Sequence, residues 1–466
     1  MLFNSFVFLF AFTPVVLLVW WLLRPPTWRL AFLTLASYFF LGWWAWWFVP
    51  IMIVSTTADY VAGRFISRST SVRRRKSILA AALVFNVAIL GYFKYRGFFL
   101  DSLDGIASAL GAGRPFPALS VILPIGISFY TFNAMSYAID VYRGIVQPAK
   151  SLVHYTAFVS LFPHLVAGPI VRYADIDHQI ENLEPRLTAP MAASGLYFFS
   201  CGLAKKLLIA DLLAPHVNAL FGAPDHLGLV SAWTAAVGYS LQLYFDFSGY
   251  SDMAVGLALL LGFRFPQNFD SPYKSVNIAD FWRRWHMSLS FWMRDYLFIP
   301  LGGSRGSRLM TLRNLMATMF LGGLWHGAGW TFVVWGMLHG VYLAGHSLFK
   351  QAHLTPPGVW VNRLITFVAV VAAWVVFRAP NLSVAGRVLG AMAGLHGVDS
   401  LAHLRSQVGI YLAAAIVALL VFVNTAPNTW EITLRPRLRY AIVLGFMLGA
   451  AILTITKPSP FLYFQF

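Results

Sequence analysis

Long apolar runs separated by short polar loops cover nearly the whole chain. The first, residues 2–23, is longer than a signal-peptide core, begins without a basic stretch and lacks a small-residue cleavage pattern, so we expect it to remain as a transmembrane helix. The other runs approach the roughly 20 residues that a helix needs to span a bilayer. They cover residues 30–48, 50–66, 78–95, 119–137, 192–209, 229–263, 311–348, 364–377, 408–423 and 440–455. The pattern predicts an all-α polytopic membrane protein with roughly ten to thirteen helices.

Two of these runs differ from simple spans. Run 229–263 is longer than one crossing requires and contains Asp246 and Asp252, and run 311–348 contains a glycine-rich interruption. We therefore expect that either run is bent or divided. Because no internal repeat, linker or soluble appendage is evident, the sequence predicts one membrane domain over residues 1–466.

Composition agrees with a membrane protein. Hydrophobic residues make up 59% of the 466 residues and charged residues 11%, and the mean hydropathy is +0.68, which leaves too little charge to cover a soluble surface. The single cysteine, Cys201, excludes an intrachain disulfide. The net charge of +17 indicates cytoplasmic loops that face anionic membrane lipid, and no nucleic-acid partner is expected.

The basic residues also predict an orientation. The densest basic loop, residues 64–76, is expected on the cytoplasmic side, and three apolar runs precede it, so the N-terminus is expected outside. The segment from Arg435 to Arg439 is expected on the cytoplasmic side as well. The aromatic tail from Phe461 to Phe466 is then expected at the outer face.

Two carboxylates, Asp246 and Asp252, lie inside run 229–263, where ionisable groups are costly and normally have a partner or a function. The structural alternative is that both acids hydrogen-bond interrupted backbone or pair with arginines. Serine catalysis at the neighbouring Ser251 is disfavoured, because its local sequence lacks the final glycine of a nucleophile elbow and no strand precedes it.

Residues 280–296 predict an interfacial amphipathic helix. At about 100° per residue, the aromatic and apolar side chains fall on one arc, and Arg283, Arg284 and Arg294 lie largely opposite. His286 falls at the edge of the apolar arc, where it can face protein or water. A structural histidine at the headgroup boundary is the alternative to a functional one.

Further basic residues, including Arg305 and Arg308, follow after the turn at residues 300–304. Together with the predicted helix they indicate a basic, aromatic cytoplasmic surface. Such a surface suits lipid phosphate, an acidic carrier protein or the phosphates of coenzyme A.

His326 lies in an apolar segment with two glycines on each side, at residues 321–330. Close helix packing explains the glycines but not the histidine. A desolvated imidazole is neutral near pH 7 and can accept a proton, which is what a general base needs. His339 would lie on another face of a continuous helix and is expected to be a packing histidine.

Seven short segments spread over nearly the whole chain form a distinctive set. They are Phe-Asn-Ser at 3–5, Leu-Pro-Ile-Gly-Ile-Ser-Phe-Tyr-Thr-Phe at 123–132, Phe-Pro-His-Leu-Val-Ala-Gly-Pro-Ile at 162–170, Phe-Asp-Phe-Ser-Gly-Tyr-Ser-Asp-Met-Ala at 245–254, Phe-Trp-Arg-Arg-Trp-His at 281–286, Gly-Leu-Trp-His-Gly at 323–327 and Tyr-Phe-Gln-Phe at 463–466. In this order and spacing the chain resembles the membrane-bound O-acyltransferase family, in its bacterial alginate O-acetyltransferase branch.

The resemblance implies a ring of tilted helices around a central funnel, with amphipathic and re-entrant helices on the cytoplasmic side. It implies that His326 is the catalytic histidine and that His286 occupies the family's second, more variable polar position. Candidates for the donor and acceptor tunnel are Asp246, Ser251, Asp252, Trp325, Gly327, Arg283 and Arg284. Candidates for the cytoplasmic donor side are Arg294, Arg305 and Arg308.

The implied reaction is transfer of an acetyl group from a cytoplasmic thioester, acetyl-CoA or an acyl-carrier thioester, for O-acetylation of an exported, alginate-like polysaccharide. No tightly bound cofactor is expected, and the sequence has no ligand cluster that resembles a zinc site. Implied partners are membrane lipid, a periplasmic acetyltransferase with an SGNH-hydrolase-like fold, and a cytoplasmic donor or carrier protein. The implied location is the bacterial inner membrane, crossed several times, with a periplasmic N-terminus.

Other functions remain in view. Transfer of D-alanyl or another acyl group to teichoic acid or peptidoglycan uses the same chemistry. A transporter function would be favoured by sequence symmetry between the two halves of the chain, and no such symmetry is found. If the protein were instead a non-catalytic scaffold subunit of an envelope complex, replacement of His326 would not affect its function.

Overall fold

The computed structural model describes residues 1–116, 122–404, 409–433, 437–455 and 459–462. All regular secondary structure in these ranges is helical. The predicted all-α architecture is confirmed. The predicted features at Arg435 and at residues 463–466, and the start of run 119–137, lie outside the described residues.

Helices occur in the predicted apolar runs, and further helices, such as Arg96–Ala109, Leu152–Ser160 and Leu382–Met392, lie outside those runs. Up to Ala204 they are α1 (Thr13–Leu22), α2 (Pro26–Gly42), α3 (Phe48–Arg68), α4 (Val72–Leu90), α5 (Arg96–Ala109), α6 (Ile127–Arg143), α7 (Leu152–Ser160), α8 (Phe162–Leu165), α9 (Tyr173–Glu181) and α10 (Ala189–Ala204). They continue with α11 (Asp211–Gly222), α12 (Leu229–Leu260), α13 (Ile278–Arg284), α14 (Met287–Met293), α15 (Arg308–His326), α16 (Trp330–Gln351), α17 (Val359–Arg378), α18 (Leu382–Met392), α19 (Leu401–His403), α20 (Gly409–Thr425) and α21 (Leu438–Leu453). Short π-helical turns at Phe8–Phe12, Gly91–Tyr95, Lys205–Ala210 and Arg294–Phe298 adjoin some of them.

Several helices have the length and composition of membrane spans. Among the described residues, three stretches are long and apolar enough to cross a bilayer: Val72–Ala109, Trp330–Gln351 and Val359–Arg378. Shorter apolar helices lie at Phe8–Leu22, Leu382–Met392, Tyr411–Thr425 and Leu438–Leu453. The protein is therefore a polytopic membrane protein, and the predicted number of roughly ten to thirteen membrane-spanning helices stays a prediction.

The two unusual runs behave differently. Helix α12 is continuous through Asp246 and Asp252, so run 229–263 is not divided at its acids. Run 311–348 is divided, as its glycines predict, because α15 ends at His326 and α16 begins at Trp330.

One compact unit contains the N-terminal part of the chain. It consists of Met1–Ser200, Ser251–Pro266 and Ile455–Pro460. The Asn4 side-chain amide donates hydrogen bonds to the carbonyl and hydroxyl oxygens of Ser459, at 3.0 and 3.2 Å. The Trp20 indole donates to the carbonyl oxygen of Leu261 at 2.9 Å. Polar side chains thus join segments that are distant in sequence.

Two segments of the family-like set contact each other in this unit. Gly126 has a positive φ of 79°, and a Cβ there would overlap the carbonyl oxygen of Leu165, so glycine is required for both reasons. The buried His164 Nε2 donates to the carbonyl oxygen of Phe158 at 3.1 Å, and Nδ1 accepts from the Asn133 amide at 3.3 Å. His164 is therefore a structural histidine.

The second compact unit consists of Cys201–Tyr250, Gln267–Thr454 and Phe461–Phe466. In it, α15 and α16 form an antiparallel hairpin in which Gly336 lies against the Met319 backbone and Gly340 against Met316. A Cβ on Gly336 would overlap the Met319 carbonyl oxygen, so the two backbones approach as closely as in small-residue contacts between membrane helices. The start of α15 and the end of α16 therefore lie at the same end of the hairpin.

Candidate active site

His326 is the last residue of α15, where the apolar run divides. The backbone is extended at Gly327 and Gly329 before the next helix starts. At a rise of about 1.5 Å per residue, α15 places His326 about 27 Å from Arg308 at the other end of the helix. The imidazole and the predicted donor-side residue are thus separated by nearly a bilayer's hydrocarbon thickness.

Aromatic side chains enclose the His326 imidazole. The ring centroids of Trp335, Trp325 and Phe377 lie 4.9, 5.0 and 5.4 Å from its centroid, each at a steep angle to it. His326 is 6% exposed. This packing orients the ring and keeps bulk water away from it.

Gly327 makes room for this aromatic packing. A Cβ on Gly327 would overlap the Phe332 ring, which packs edge-on against Phe377 at 5.0 Å. A Cβ on Gly329 would meet Phe332 only at an ordinary contact distance of 3.5 Å. Of the two glycines after the histidine, Gly327 is the one that the packing requires.

The predicted continuous helix over residues 280–296 is wrong. Helix α13 ends at Arg284, His286 adopts left-handed backbone angles (φ 43°, ψ 55°), and α14 starts at Met287. The apolar arc is buried as predicted, but against protein rather than at a lipid interface: Trp285 contacts Trp374 at 4.9 Å. Hydrophobic periodicity cannot detect one left-handed residue, because the side chains on both sides of the break keep their burial pattern.

His286 is fully buried at this break. Its Nδ1 lies 3.1 Å from the side-chain oxygen of Asn268. Its ring contacts Phe247, with centroids 4.7 Å apart, and Trp325 at 6.1 Å. Because Trp325 contacts both His286 and His326, the structure brings three of the predicted site residues together.

His339 lies on α16, beyond the division that ends α15 at His326. Its packing role is confirmed, because the buried ring accepts a hydrogen bond from the Trp282 indole at Nδ1, over 3.2 Å. The His339 ring also contacts Trp335 at 4.8 Å. Trp335 therefore separates a structural histidine from the candidate catalytic one.

Asp246 takes part in a buried ion pair. Its carboxylate lies 2.6 Å from Lys206 Nζ and accepts a hydrogen bond from the backbone N–H of Leu462 at 3.0 Å. Lys206 also contacts Asp211 at 2.8 Å. These contacts favour the structural alternative for Asp246, although its partner is a lysine and not the expected arginine. The sequence signals Lys206 only by its position inside apolar run 192–209. Buried Ser251 and Asp252 belong to the first unit.

Arg284 bonds to acids and not to the histidines. It lies 3.1 Å from each of Asp270 and Asp280, whereas the more exposed Arg283 reaches Asp280 at 3.6 Å. Arg294 forms hydrogen bonds of 2.6 and 3.1 Å with Asp295, which raise the pKa of Arg294 above its ordinary value.

Arg305 and Arg308 are exposed at the start of α15. A cavity of about 800 Å³ lies by the end of α16, which is the same end of the hairpin. Its lining combines the basic or potentially basic side chains of His346, Lys350 and His353 with apolar residues such as Ile365. This end of the second unit is therefore suited to an anionic ligand with an apolar portion.

The all-helical fold is that of an integral membrane protein, and it encloses the His326 imidazole in aromatic side chains. The chain belongs to the membrane-bound O-acyltransferase family, whose model matches residues 118–385. It is thus an O-acyltransferase, as the sequence resemblance predicts.

Curated relatives cover most of the chain. A protein named probable alginate O-acetylase AlgI from Azotobacter vinelandii is 45% identical over 84% of this chain and 78% of its own length. A peptidoglycan O-acetyltransferase from Helicobacter pylori is 40% identical over 88% of this chain and 83% of its own length. A teichoic acid D-alanyltransferase from Bacillus subtilis is 30% identical over 55% of this chain and 67% of its own length.

The two glycines after His326 provide a test of the aromatic enclosure. We expect Gly327→Ala to lower acyl transfer at least tenfold, because the added methyl group displaces Phe332 and with it the packing around His326. Gly329→Ala is the matched control and should lower activity much less. Activity is measured at equal amounts of purified protein. Equal losses in both variants would contradict this assignment and indicate that both glycines are needed for close approach of a substrate.

Proposed function

We propose that this enzyme moves an acetyl group from a cytoplasmic thioester to a hydroxyl group of an exported envelope polysaccharide, at the inner membrane of a bacterium. The names of the O-acetylase relatives support the acetyl group and the polysaccharide, with an alginate-like polymer as the acceptor. The observation that carries the proposal is the aromatic-enclosed imidazole of His326 at a helix break. A peptidoglycan acceptor is the second candidate, because a relative of that name is 40% identical.

In the proposed reaction, His326 acts as the general base. A sugar hydroxyl is a poor nucleophile at neutral pH, and a base within hydrogen-bond reach contributes about 10²- to 10⁴-fold in rate. The hydroxyl oxygen bonds to the acyl carbon, the carbon–sulfur bond of the thioester breaks, and the imidazole passes the proton to the leaving thiolate. The attacking hydroxyl belongs either to the glycan itself or to a serine of a periplasmic SGNH-hydrolase-like partner that then acetylates the glycan.

We place the donor at the end of the second unit that carries Arg305 and Arg308. Exposed guanidinium groups there and the cavity with Lys350 suit the phosphates of acetyl-CoA or of a carrier protein's phosphopantetheine arm. The length of α15 then requires the thioester to reach deep into the protein to meet His326. Lipid anchoring by these residues is the competing hypothesis.

The orientation proposal rests on the basic loop at residues 64–76. From Val72 to Ala109 the chain is helical throughout, and at about 1.5 Å per residue the path along the helix from Val72 to Asp101 is about 43 Å long, more than the roughly 30 Å of a bilayer core. The loop and Asp101 therefore suit opposite sides of the membrane. With a cytoplasmic loop, the N-terminus is periplasmic.

Replacement of His326 tests the catalytic proposal. We expect His326→Ala to abolish ester-linked acetate on the isolated polymer, because the variant lacks the base. The variant protein should still insert and purify normally. The measurement uses a deletion strain complemented with the variant. His396→Ala, at an exposed histidine, is the control and should retain acetylation. Wild-type acetate with His326→Ala at equal protein abundance would disprove the general-base role.

A charge substitution tests the donor side. Arg305→Gln with Arg308→Gln should raise the donor concentration for half-maximal acetylation and leave acceptor dependence nearly unchanged. Surface ion pairs contribute only about 0 to 1 kcal/mol, so structural pairing alone predicts almost no effect. The difference in this donor concentration between variant and wild type should become smaller at high salt. Added salt screens the attraction between charges, with a Debye length of about 10 Å at 0.1 M.

The control for this experiment removes the same charge elsewhere. Arg73→Gln with Arg74→Gln alters two exposed residues of the loop predicted to lie on the same side of the membrane. Specific donor attraction would be ruled out if the Arg305/Arg308 variant needed the same donor concentration as wild type at low ionic strength. It would also be ruled out if both double variants raised that concentration equally.

Cysteine labelling tests the orientation. In a Cys201-free background, Ser69→Cys should resist an impermeant thiol reagent in intact cells because we place it in the cytoplasm, whereas Asp101→Cys should react. Both should react after permeabilisation, which shows that each thiol is accessible. The reverse pattern in intact cells would overturn the orientation and the inside-to-outside direction of acetyl transfer.

A further inference from the structure

The hydrogen bonds of Asn268 determine which nitrogen of His286 carries the proton. The side-chain oxygen of Asn268 accepts from the backbone N–H of Ser288 at 3.3 Å and from its hydroxyl at 2.8 Å. A backbone N–H can only donate, so this Asn268 atom is the amide oxygen and not the nitrogen. The same oxygen lies 3.1 Å from His286 Nδ1, and a carbonyl oxygen can only accept. Nδ1 is therefore the protonated nitrogen.

In a neutral imidazole with the proton on Nδ1, Nε2 has a lone pair and no hydrogen. His286 Nε2 is buried, and within the described part of the chain no donor reaches it. A buried acceptor without a partner is costly, which favours a hydrogen bond supplied from outside the protein.

His339 also has a buried Nε2 without a hydrogen-bond partner among the described residues, but the proton is on the other nitrogen than in His286. His339 accepts from Trp282 at Nδ1, so its Nε2 carries the hydrogen, and the His339 ring packs against aromatic rings such as that of Trp335. An N–H group can donate to an aromatic face, but the lone pair of His286 Nε2 is repelled by the same negative face. Aromatic packing can therefore satisfy His339 but not His286.

The backbone around His286 is arranged to hold this geometry. His286 is in the left-handed region, which non-glycine residues adopt at a cost, and the carbonyl oxygen of Asn268 accepts the next backbone N–H, from Met287, at 2.9 Å. Asn268 thus holds the segment through both its backbone and its side chain. Trp325 joins His286 to the enclosure of His326.

We infer that Asn268 is a positioning residue that holds His286 in the Nδ1-protonated form, so that Nε2 accepts a hydrogen bond from a substrate O–H or N–H group beside His326. The inference rests on the proposed function. Two substrate groups have this chemistry: a second hydroxyl of the glycan, next to the one that is acetylated, and an amide N–H of the donor's pantetheine arm.

His286→Asn tests the use of Nε2. Asparagine tolerates left-handed angles, and its amide donates to Asn268 much as Nδ1 does, but it has no counterpart of Nε2. With acetyl-CoA and an alginate oligosaccharide as probes, we expect kcat/KM to fall about tenfold to a hundredfold at an unchanged yield and melting temperature. A higher KM for the oligosaccharide assigns Nε2 to the glycan, and a higher KM for acetyl-CoA assigns it to the donor. A loss below twofold overturns the inference.

A double-mutant cycle tests whether Asn268 acts through His286. Asn268→Ala should lower kcat/KM by a similar factor, and Asn268→Asp, which keeps an acceptor oxygen, should lose less. In the His286→Asn background, Asn268→Ala should cause little further loss, whereas additive losses would show that Asn268 acts independently. If Asn268→Ala does not fold, the His286→Asn measurement decides alone.

Different experimental results would refute the proposed function and the inference about Asn268 and His286. If His326→Ala keeps its activity, the general-base proposal is wrong whatever His286→Asn does. If His326→Ala is inactive and His286→Asn is fully active, only the role of His286 and Asn268 is refuted.

Discussion

Polar groups inside an apolar helical body have to find their partners within the protein, because hydrocarbon offers none. The structure meets this constraint repeatedly. Lys206 is paired with both Asp211 and Asp246, and the Asn86 amide donates to Asp59 at 2.7 Å. Helix α12 can stay continuous past Asp246 because that carboxylate is already bonded. Unlike the Lys206 ammonium group, the Nε2 atom of His286 has no hydrogen-bond partner among the described residues.

The same constraint explains the aromatic residues around the histidines. Rings such as Trp335 and Trp374, whose centroids are 5.7 Å apart, fill the space between α16 and α17 without adding backbone groups that need partners. They bury large apolar areas and fix the orientation of the imidazole rings that they surround. The enclosure of His326 is thus part of the core of the second unit, and its geometry depends on glycines that allow α15 and α16 to approach.

Much of this could be predicted from the sequence, for identifiable reasons. Apolar runs of span length predict the helices because burial in lipid requires them, and the glycines around His326 predict the division between α15 and α16. The break at His286 could not be predicted, because Phe281, Trp285 and Leu289 keep a helical spacing across it and all are buried. The His286 side chain is hydrogen-bonded there to Asn268, eighteen residues earlier in the chain, and such a contact leaves no periodic signal in the sequence. The pairing of Lys206 with Asp246 could not be predicted either, because the two residues are distant in sequence and no periodic pattern links them.

The backbone distinguishes the histidines of the proposed site from His339. Within a regular helix, the direction of a side chain is set by the helical period, and His339 follows it into a packed core where Trp282 binds it. His326 ends its helix, and His286 lies between two short helices with a left-handed backbone. At both positions the chain departs from regular helix within an apolar region, which is costly unless neighbouring groups compensate. Asn268 holds the break at His286 through its hydrogen bonds, and Gly327 leaves room for Phe332 after His326. Interrupted helices can therefore present imidazoles in directions that a continuous helix does not allow.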